Sequence, residues 1–453
     1  MTTRATRATR DHAESLGSRP IGRLLWWTCS QTTLSVGIYG VYALTNAWFV
    51  ARGVGADALA AVNLVAPLLL LLGAASTTVG VGGASLVSRS LGARRPDDAA
   101  HAAAQSFGLF WATAITVSVV GLALLDPLLR LVGANDATLP YARPYAAVLI
   151  AGAIFSTGFS AIVRAEGRLL FSTMLWVIPV IVQITLDPVL IYGLHLGVVG
   201  AALGTVGGQA VSAFMALWFF FGQRGRPYRI RASHLRPHAR TVKEIVSIGA
   251  PSFLTGLGAT LLALVVNVTL AAASTAALVG YAVAARVQTF ASMPHTGITQ
   301  GTQPIISYNA GRLDEARVDR TRTLALRATV VYGALAATFL LIAAPWIAGA
   351  FVTDPATIDV ATTAIRAVAA GVVLAGVPPV ISACFQALGR PSPSYWISVG
   401  TLIGIKLPLV LALGTLGPAG IWIALPLGEA AAAGAAWLVL RRTTAFTVRS
   451  ERP

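Results

Sequence analysis

At 453 residues the chain could hold two or three soluble domains, but only 11% of it is charged, against roughly 25% in a typical soluble domain. The charges fall in short clusters between apolar runs of about 20 residues or more, the length that crosses a bilayer core of roughly 30 Å. With 56% hydrophobic residues, a dozen such runs leave no sizeable soluble domain, and the net charge of +16 follows the loops and not one soluble face, so the lipid bilayer is an expected partner and nucleic acid is not.

Residues 1–23 read as a basic, disordered cytoplasmic tail, with no apolar core before Leu24 and no small-residue cleavage site of a signal peptide. Hydrophobic runs bounded by charge, Gly or Pro then predict twelve membrane helices, at 24–50, 58–88, 99–125, 139–163, 169–193, 197–222, 243–270, 276–306, 319–348, 357–388, 392–416 and 418–440. The polar stretch 223–242 reads as a cytoplasmic linker between a first six-helix bundle, 24–222, and a second, 243–440, with 441–453 as a closing cytoplasmic tail. With the N-terminus inside, 27 of the 33 Lys and Arg lie on the inner side and only Arg52, Arg130, Arg143 and Arg366 on the outer. The positive-inside rule therefore places both termini in the cytoplasm of a cell whose inner membrane the chain crosses many times. Cys29 and Cys384 both fall in apolar helical stretches, where small hydrophobic packing is expected in place of a disulfide.

The two halves repeat. Leu59, Ser88 and Gly92 recur as Leu278, Ser307 and Gly311 at an offset of 219. Ala165, Gly167 and Arg168 recur as Ala387, Gly389 and Arg390 at 222, and Pro188, Gly197 and Gly200 as Pro408, Gly417 and Gly420 at 220. An even number of spans separates the copies, so they share one orientation and are related by an axis along the membrane normal. The expected fold is all-α: twelve transmembrane helices in two pseudo-symmetric six-helix bundles around a central cavity, the architecture of alternating access.

Stretches such as GVGADALAAVNLVAP, GASLVSRSLGA, RAEG, LDPVLIYGLHLGVVGAALGTVGGQ, IGAPSFL, GITQGTQPIISYNAGR, FQALGR and GPAGIWIALPLGE, in this order over about residues 20–440, resemble the multidrug and toxic compound extrusion (MATE) family of cation-coupled exporters, most closely its prokaryotic branch. The resemblance implies a secondary antiporter for an organic, amphiphilic or cationic small molecule, working as a monomer without a cofactor. It also implies a cation-coupling site in the first bundle. There Asp187 is kept and Thr205 is kept, the family's amide partner becomes Gln183, and the family's helix-1 Asp is replaced by Asn46. Geometry agrees independently. Asp187 and Thr205 lie 7 and 8 residues from the turn at 194–197, hence at one depth at about 1.5 Å per residue, and Gln183 is one turn from Asp187 on the same face. A carboxylate at membrane depth is functional by default, whereas the bland alternatives are a local backbone bond for Asp187 and polar contacts between helices for the other three. The coupling ion is expected to be a proton, with sodium at Asp187 as the alternative, because the exchanges at Asn46 and Gln183 disturb oxygens that sodium would need.

In the second bundle Lys406 lies 11 residues before Gly417 and Glu429 12 after it, so the two should meet at one depth, as an ion pair or as a second coupling site. Arg286 is expected to bond backbone carbonyls or a neighbour in the cavity wall, or else to face the substrate. Tyr39 and Tyr42 share a helix-1 face, either to stack on a planar or cationic substrate or to pack in the core. The Pro and Gly residues of Met293 to Pro304 should break or bend helix 8, with His295 packed at the bend, and Pro378 with Pro379 should bend helix 10. A lipid-linked saccharide flippase is the alternative function, though two intramembrane cations are few for a pyrophosphate. No zinc-protease or Walker A pattern occurs, so neither an intramembrane enzyme nor an ATP-driven pump is expected.

Overall fold

A computed structural model of the chain describes residues 12–155, 158–223 and 226–450, leaving aside the side chains of residues 39, 43, 67–72, 74–75 and 444–450. The described residues are helical and contain no strand. In chain order the helices are α1 (Ile21–Gly53), α2 (Ala56–Gly92), α3 (Pro96–Ala123), α4 (Leu125–Leu131), α5 (Leu139–Ala151), α6 (Phe159–Ala165), α7 (Leu169–Pro188) and α8 (Gly197–Leu217). After the linker come α9 (Ala239–Ala273), α10 (Thr275–Gly311), α11 (Glu315–Phe351), α12 (Pro355–Ala375), α13 (Val377–Ala387), α14 (Pro391–Tyr395), α15 (Leu407–Gly414) and α16 (Pro418–Ser450). Ten helical segments among the described residues are long and apolar enough to cross a membrane. The two other predicted spans are α2 and α10, each a continuous helix of 37 residues. The chain is an all-α, multi-pass membrane protein.

Several predicted spans differ in detail. The fourth ends its α-helix at Ala151 and passes through a 3-10 turn, Gly152–Phe155, before α6. There Ser118 Oγ of α3 donates to the Ile150 carbonyl at 2.7 Å, giving that carbonyl a partner from another helix. The tenth span is interrupted at Gly376, just before Pro378 and Pro379, which cannot donate the next hydrogen bonds. Of the break or bend expected in helix 8, the break is absent: α10 runs through Pro294 and Pro304 without interruption. The N-terminal tail, expected to be disordered to residue 23, is helical over residues 12–18, with Ala13 and Leu16 buried.

The helices group into two compact units, and the division does not fall at the linker. One unit contains Leu34–Gly249; the other contains Arg19–Thr33, Ala250–Ala310 and the chain from Asp314 onward. Helices α1 and α9 each belong to both. Glycine explains why. A Cβ at Gly301 of α10 would come within 2.9 Å of Cys29 Cα, so bare backbone is what seats the start of α1 in the second unit. Gly82 and Gly249 likewise leave no room for a side chain beside the carbonyls of Ile245 and Thr78, which seats the start of α9 in the first. Between membrane helices, where lipid is as apolar as Leu, such close backbone approach is a main source of cohesion. The Arg89–Glu244 pair, 3.0 Å apart, ties the same end of α9 to α2.

The repeat extends to backbone conformation. Arg94 and Leu313, both non-glycine residues at positive φ (58° and 60°), stand at the 219 offset, and Gly167 and Gly389 (78° and 72°) at 222. Ser172 Oγ reaches the Ser160 carbonyl and Ser394 Oγ the Ser382 carbonyl, each at 2.8 Å. The same turns are therefore made twice by the same means.

Candidate functional site

The first-unit site lies between α1, α7 and α8. Asp187 is the last residue of α7 before Pro188, and a π-helical turn, Val189–Gly193, follows it. Asp187 and Gln183 are fully buried, and Thr205 and Asn46 are nearly so. Gln183 Nε2 donates to Asp187 Oδ2 at 3.1 Å. Thr205 Oγ1 accepts from Tyr42 Oη at 3.3 Å and, more weakly, from Asn46 Nδ2 at 3.5 Å. Gly204 of α8 faces Asp187 Oδ1 so closely that a Cβ there would collide with it. Asp187 Oδ1 and Gln183 Oε1 are buried without any hydrogen-bond partner. Two orphan oxygens, one from a carboxyl, form an arrangement that a proton or small cation would complete, since an uncompensated buried carboxylate costs several kcal/mol. The structure thus pairs Gln183 with Asp187 and gathers Tyr42 and Asn46 on Thr205, whose neighbour Gly204 abuts Asp187, while the side chain of Tyr39 lies outside the described residues.

A second polar cluster in the same unit escaped the sequence reading. Glu166, in the turn after α6, accepts from the Arg226 guanidinium and from the Tyr228 hydroxyl, with the Glu166 and Arg226 side chains 1% and 2% exposed. Arg226 Nη1 also donates to the Phe220 carbonyl at 2.9 Å, and the guanidinium stacks within 4.9 Å of the rings of Phe219, Phe220 and Tyr228. Burial pulls the Arg226 pKa down, but the charges of Glu166 and Tyr228 and the hydrogen bonds to them together outweigh it and leave it raised. Burial and then Glu166 push the Tyr228 phenol well above its ordinary range. Gln105 of α3 adds a clasp, donating to the carbonyls of His234 and Arg236 at 2.8 and 2.7 Å and accepting from His238 N at 3.0 Å. The linker is docked, not free. The only available signal was an Arg and a Tyr in a polar stretch, which carries no periodicity.

In the second unit Lys406 Nζ lies 2.6 Å from Glu429 Oε1. Both line a cavity of about 530 Å³ with the α10 residues Tyr281, Gln288 and Ser292. Lys406 closes a π-helical turn, Leu402–Lys406, that follows another at Trp396–Gly400; such widened turns recur at functional positions. Arg286 is elsewhere. It is exposed beside Phe290, Phe339 and Phe351, and no hydrogen bond or ion pair of its side chain is present among the described residues, so the expected bond to a carbonyl or neighbour is not made. From α10, Arg286 points to a different face from the one that carries Tyr281 and Ser292. His295 is buried, with Nε2 3.2 Å from the Thr329 carbonyl and its ring edge-on to Tyr332. The two cysteines are unpaired.

The comparisons with known proteins converge. The family described as MatE matches residues 32–189 and again 251–411, one match per half, as the internal repeat requires. The chain is 27% identical over 381 residues to the multidrug export protein MepA of Staphylococcus haemolyticus, covering 83% of each chain. It is 27% identical over 418 residues to MepA of Staphylococcus aureus, covering 90% of each. A solved outward-facing structure of a multidrug resistance MATE family transporter of the MOP superfamily superposes with a TM-score of 0.88 at 25% identity, over 96% of this chain and 98% of that one. Twelve predicted helices, a repeat held in both sequence and turn geometry, and a family match over most of both halves lead to one conclusion: the chain belongs to the MATE family of membrane transporters.

Proposed function

We propose that the protein is a secondary antiporter that exports an organic, amphiphilic or cationic small molecule across the cytoplasmic membrane by alternating access, with both termini inside and the proton as coupling ion. The observation that carries this reading is Asp187, a fully buried carboxyl with Oδ1 unpartnered. Loading the site with a proton neutralises that group and unloading it restores a buried charge, so occupancy and conformation are linked. The names of the relatives support the export of drug-like molecules. Sodium fits the donor set less well. Thr205 Oγ1 already accepts two hydrogen bonds, and Asn46 turns its amide N–H toward Thr205, while Asp187 Oδ1 and Gln183 Oε1 are the buried oxygens left without a partner. Sodium needs several oxygens held together in fixed geometry, whereas a proton needs one.

The test is transport in sodium-free proteoliposomes with an imposed pH gradient. The expected outcome is substrate movement driven by the gradient and abolished in Asp187→Asn, with the variant still inserted in the membrane. Transport that requires sodium and ignores pH overturns the choice of ion, and gradient-driven efflux by Asp187→Asn overturns the site.

A further inference from the structure

The Lys406–Glu429 pair has unspent valence. An ammonium has three donors and a carboxylate about four acceptor positions, yet the one bond between them, at 2.6 Å, is the whole of their hydrogen bonding among the described residues. Their side chains are 22% and 15% exposed, and the space they are exposed to is the cavity of about 530 Å³ within the second unit. That volume suits a drug-sized molecule. Most hydroxyls on its wall are already tied to their own helices: Thr255 to Pro251, Thr289 to Ala285, Ser292 to Gln288 and Thr401 to Ile397. The charge on the cavity wall is concentrated in one cation and one anion lying side by side.

Charge compensation selects the ligand. A cationic guest that takes Glu429 strands the Lys406 ammonium, an anionic guest that takes Lys406 strands the carboxylate, and a neutral guest leaves the pair closed and gains little from it. A guest with both charges can part the pair and compensate each half. We infer that the second-unit cavity is a binding site for a zwitterionic small molecule, whose carboxylate is received by Lys406 and whose ammonium is received by Glu429. The two π-helical turns at Trp396–Gly400 and Leu402–Lys406 set Lys406 on the cavity side of its helix. The site is separate from the Asp187 cluster. It rests on the exporter reading only for the claim that its ligand is then moved, so binding is measured with no gradient present.

The experiment uses the full-length protein in lipid nanodiscs and three fluorescent probes: Nε-dansyl-lysine, its methyl ester, which keeps only the cation, and its Nα-acetyl derivative, which keeps only the anion. The zwitterion is expected to bind at least about tenfold more tightly than either derivative, as two charge-assisted contacts replace one. In the double variant Lys406→Met with Glu429→Gln, which leaves no unpaired charge, the three affinities should converge to within about twofold. Ser292→Trp fills the cavity without removing either charge and should abolish binding of all three. Equal affinities in the unmodified protein overturn the proposal, as does a zwitterion preference that survives in the double variant or binding that survives Ser292→Trp. If the double variant does not fold, the probe comparison in the unmodified protein and the Ser292→Trp result decide the matter. Failure of transport with all three binding results intact would count against the exporter reading alone.

Discussion

The hairpin of α7 and α8 in the first repeat and the hairpin of residues 391–450 in the second start from the same plan and place charge differently. Pro188 and Pro408 occupy matching positions, as do the turn glycines Gly197 and Gly417, which both have positive φ. In the first hairpin the π-helical turn follows the proline, and Asp187 before it stays in regular helix, fully buried against Gly204. In the second the π-helical turn precedes the proline, the Asp187 position is Leu407, and the charge moves one residue back to Lys406 at a cavity wall. Moving the widened turn across one proline re-aims the neighbouring side chains. One repeat thereby holds a solitary buried carboxyl and the other a compensated, reachable pair. The same divergence appears in the turns after α6 and α13: Glu166, which holds the linker, corresponds to Leu388.

The largest expected effect breaks that last difference. Glu166→Ala leaves the Arg226 guanidinium buried and uncompensated and should cost about 3–5 kcal/mol, read as a lowered unfolding temperature and poor yield in detergent. Leu388→Ala, at the matching place, removes a partly exposed side chain and should cost roughly 1 kcal/mol or less. Similar losses at both positions would mean that the linker clasp contributes little.

Next in size is the pair in the second hairpin. Lys406→Ala strands Glu429 and should cost about 2–3 kcal/mol, below the fully buried range because both groups retain some contact with the cavity. Lys406→Ala with Glu429→Ala should recover part of that loss, and thermal unfolding of the four proteins of the cycle measures the coupling. Additive losses would show that the 2.6 Å contact does not stabilise the fold.

How much of this could be read from sequence follows from what carries periodicity. The helices were legible because apolar runs must match a bilayer. The pairing of Gln183 with Asp187 was legible from the one-turn spacing of a helix, and the meeting of Lys406 with Glu429 because a helical hairpin converts distance from its turn into depth. The exchange of α1 and α9 between the units was not. It depends on Gly301 against Cys29 and Gly249 against Thr78, contacts between segments far apart in the chain whose single glycines look like any others in a glycine-rich membrane sequence. The Glu166–Arg226 clasp and the exposure of Arg286 were hidden for a related reason, since hydropathy says that a charge is present but not which way it points.

A smaller effect separates the two repeats at one glycine position. Gly208 and Gly428 stand 220 residues apart, but a Cβ at Gly208 would come 2.6 Å from the Pro179 carbonyl, whereas one at Gly428 would make ordinary contact at 3.6 Å. Gly208→Ala should therefore destabilise by about 1–3 kcal/mol through overpacking. Gly428→Ala should be neutral or stabilise by up to about 1 kcal/mol, because alanine loses less backbone freedom in a helix. Thermal unfolding of the two single variants makes the comparison, and equal losses would show that the hairpins pack alike after all.

The finest test acts on ion choice and leaves the fold nearly untouched. Asn46→Asp is close to isosteric and replaces an amide that donates to Thr205 with a second carboxylate beside Thr205 and the Asp187 cluster. The donated bond is lost, Thr205 is freed to turn its lone pairs inward, and the site exchanges an amide nitrogen for one further oxygen and one negative charge. Those are the features that distinguish a site able to hold sodium from one that needs only a proton, because two buried carboxylates without a cation repel each other. Export by the variant in vesicles should then rise with added sodium, while export by the unmodified protein at the same pH gradient should not respond. A sodium response of equal size in both would mean that Asp187, Gln183 and Thr205 already ligate the ion with Asn46 in place. No response in either would mean that the choice of ion is set beyond these four residues.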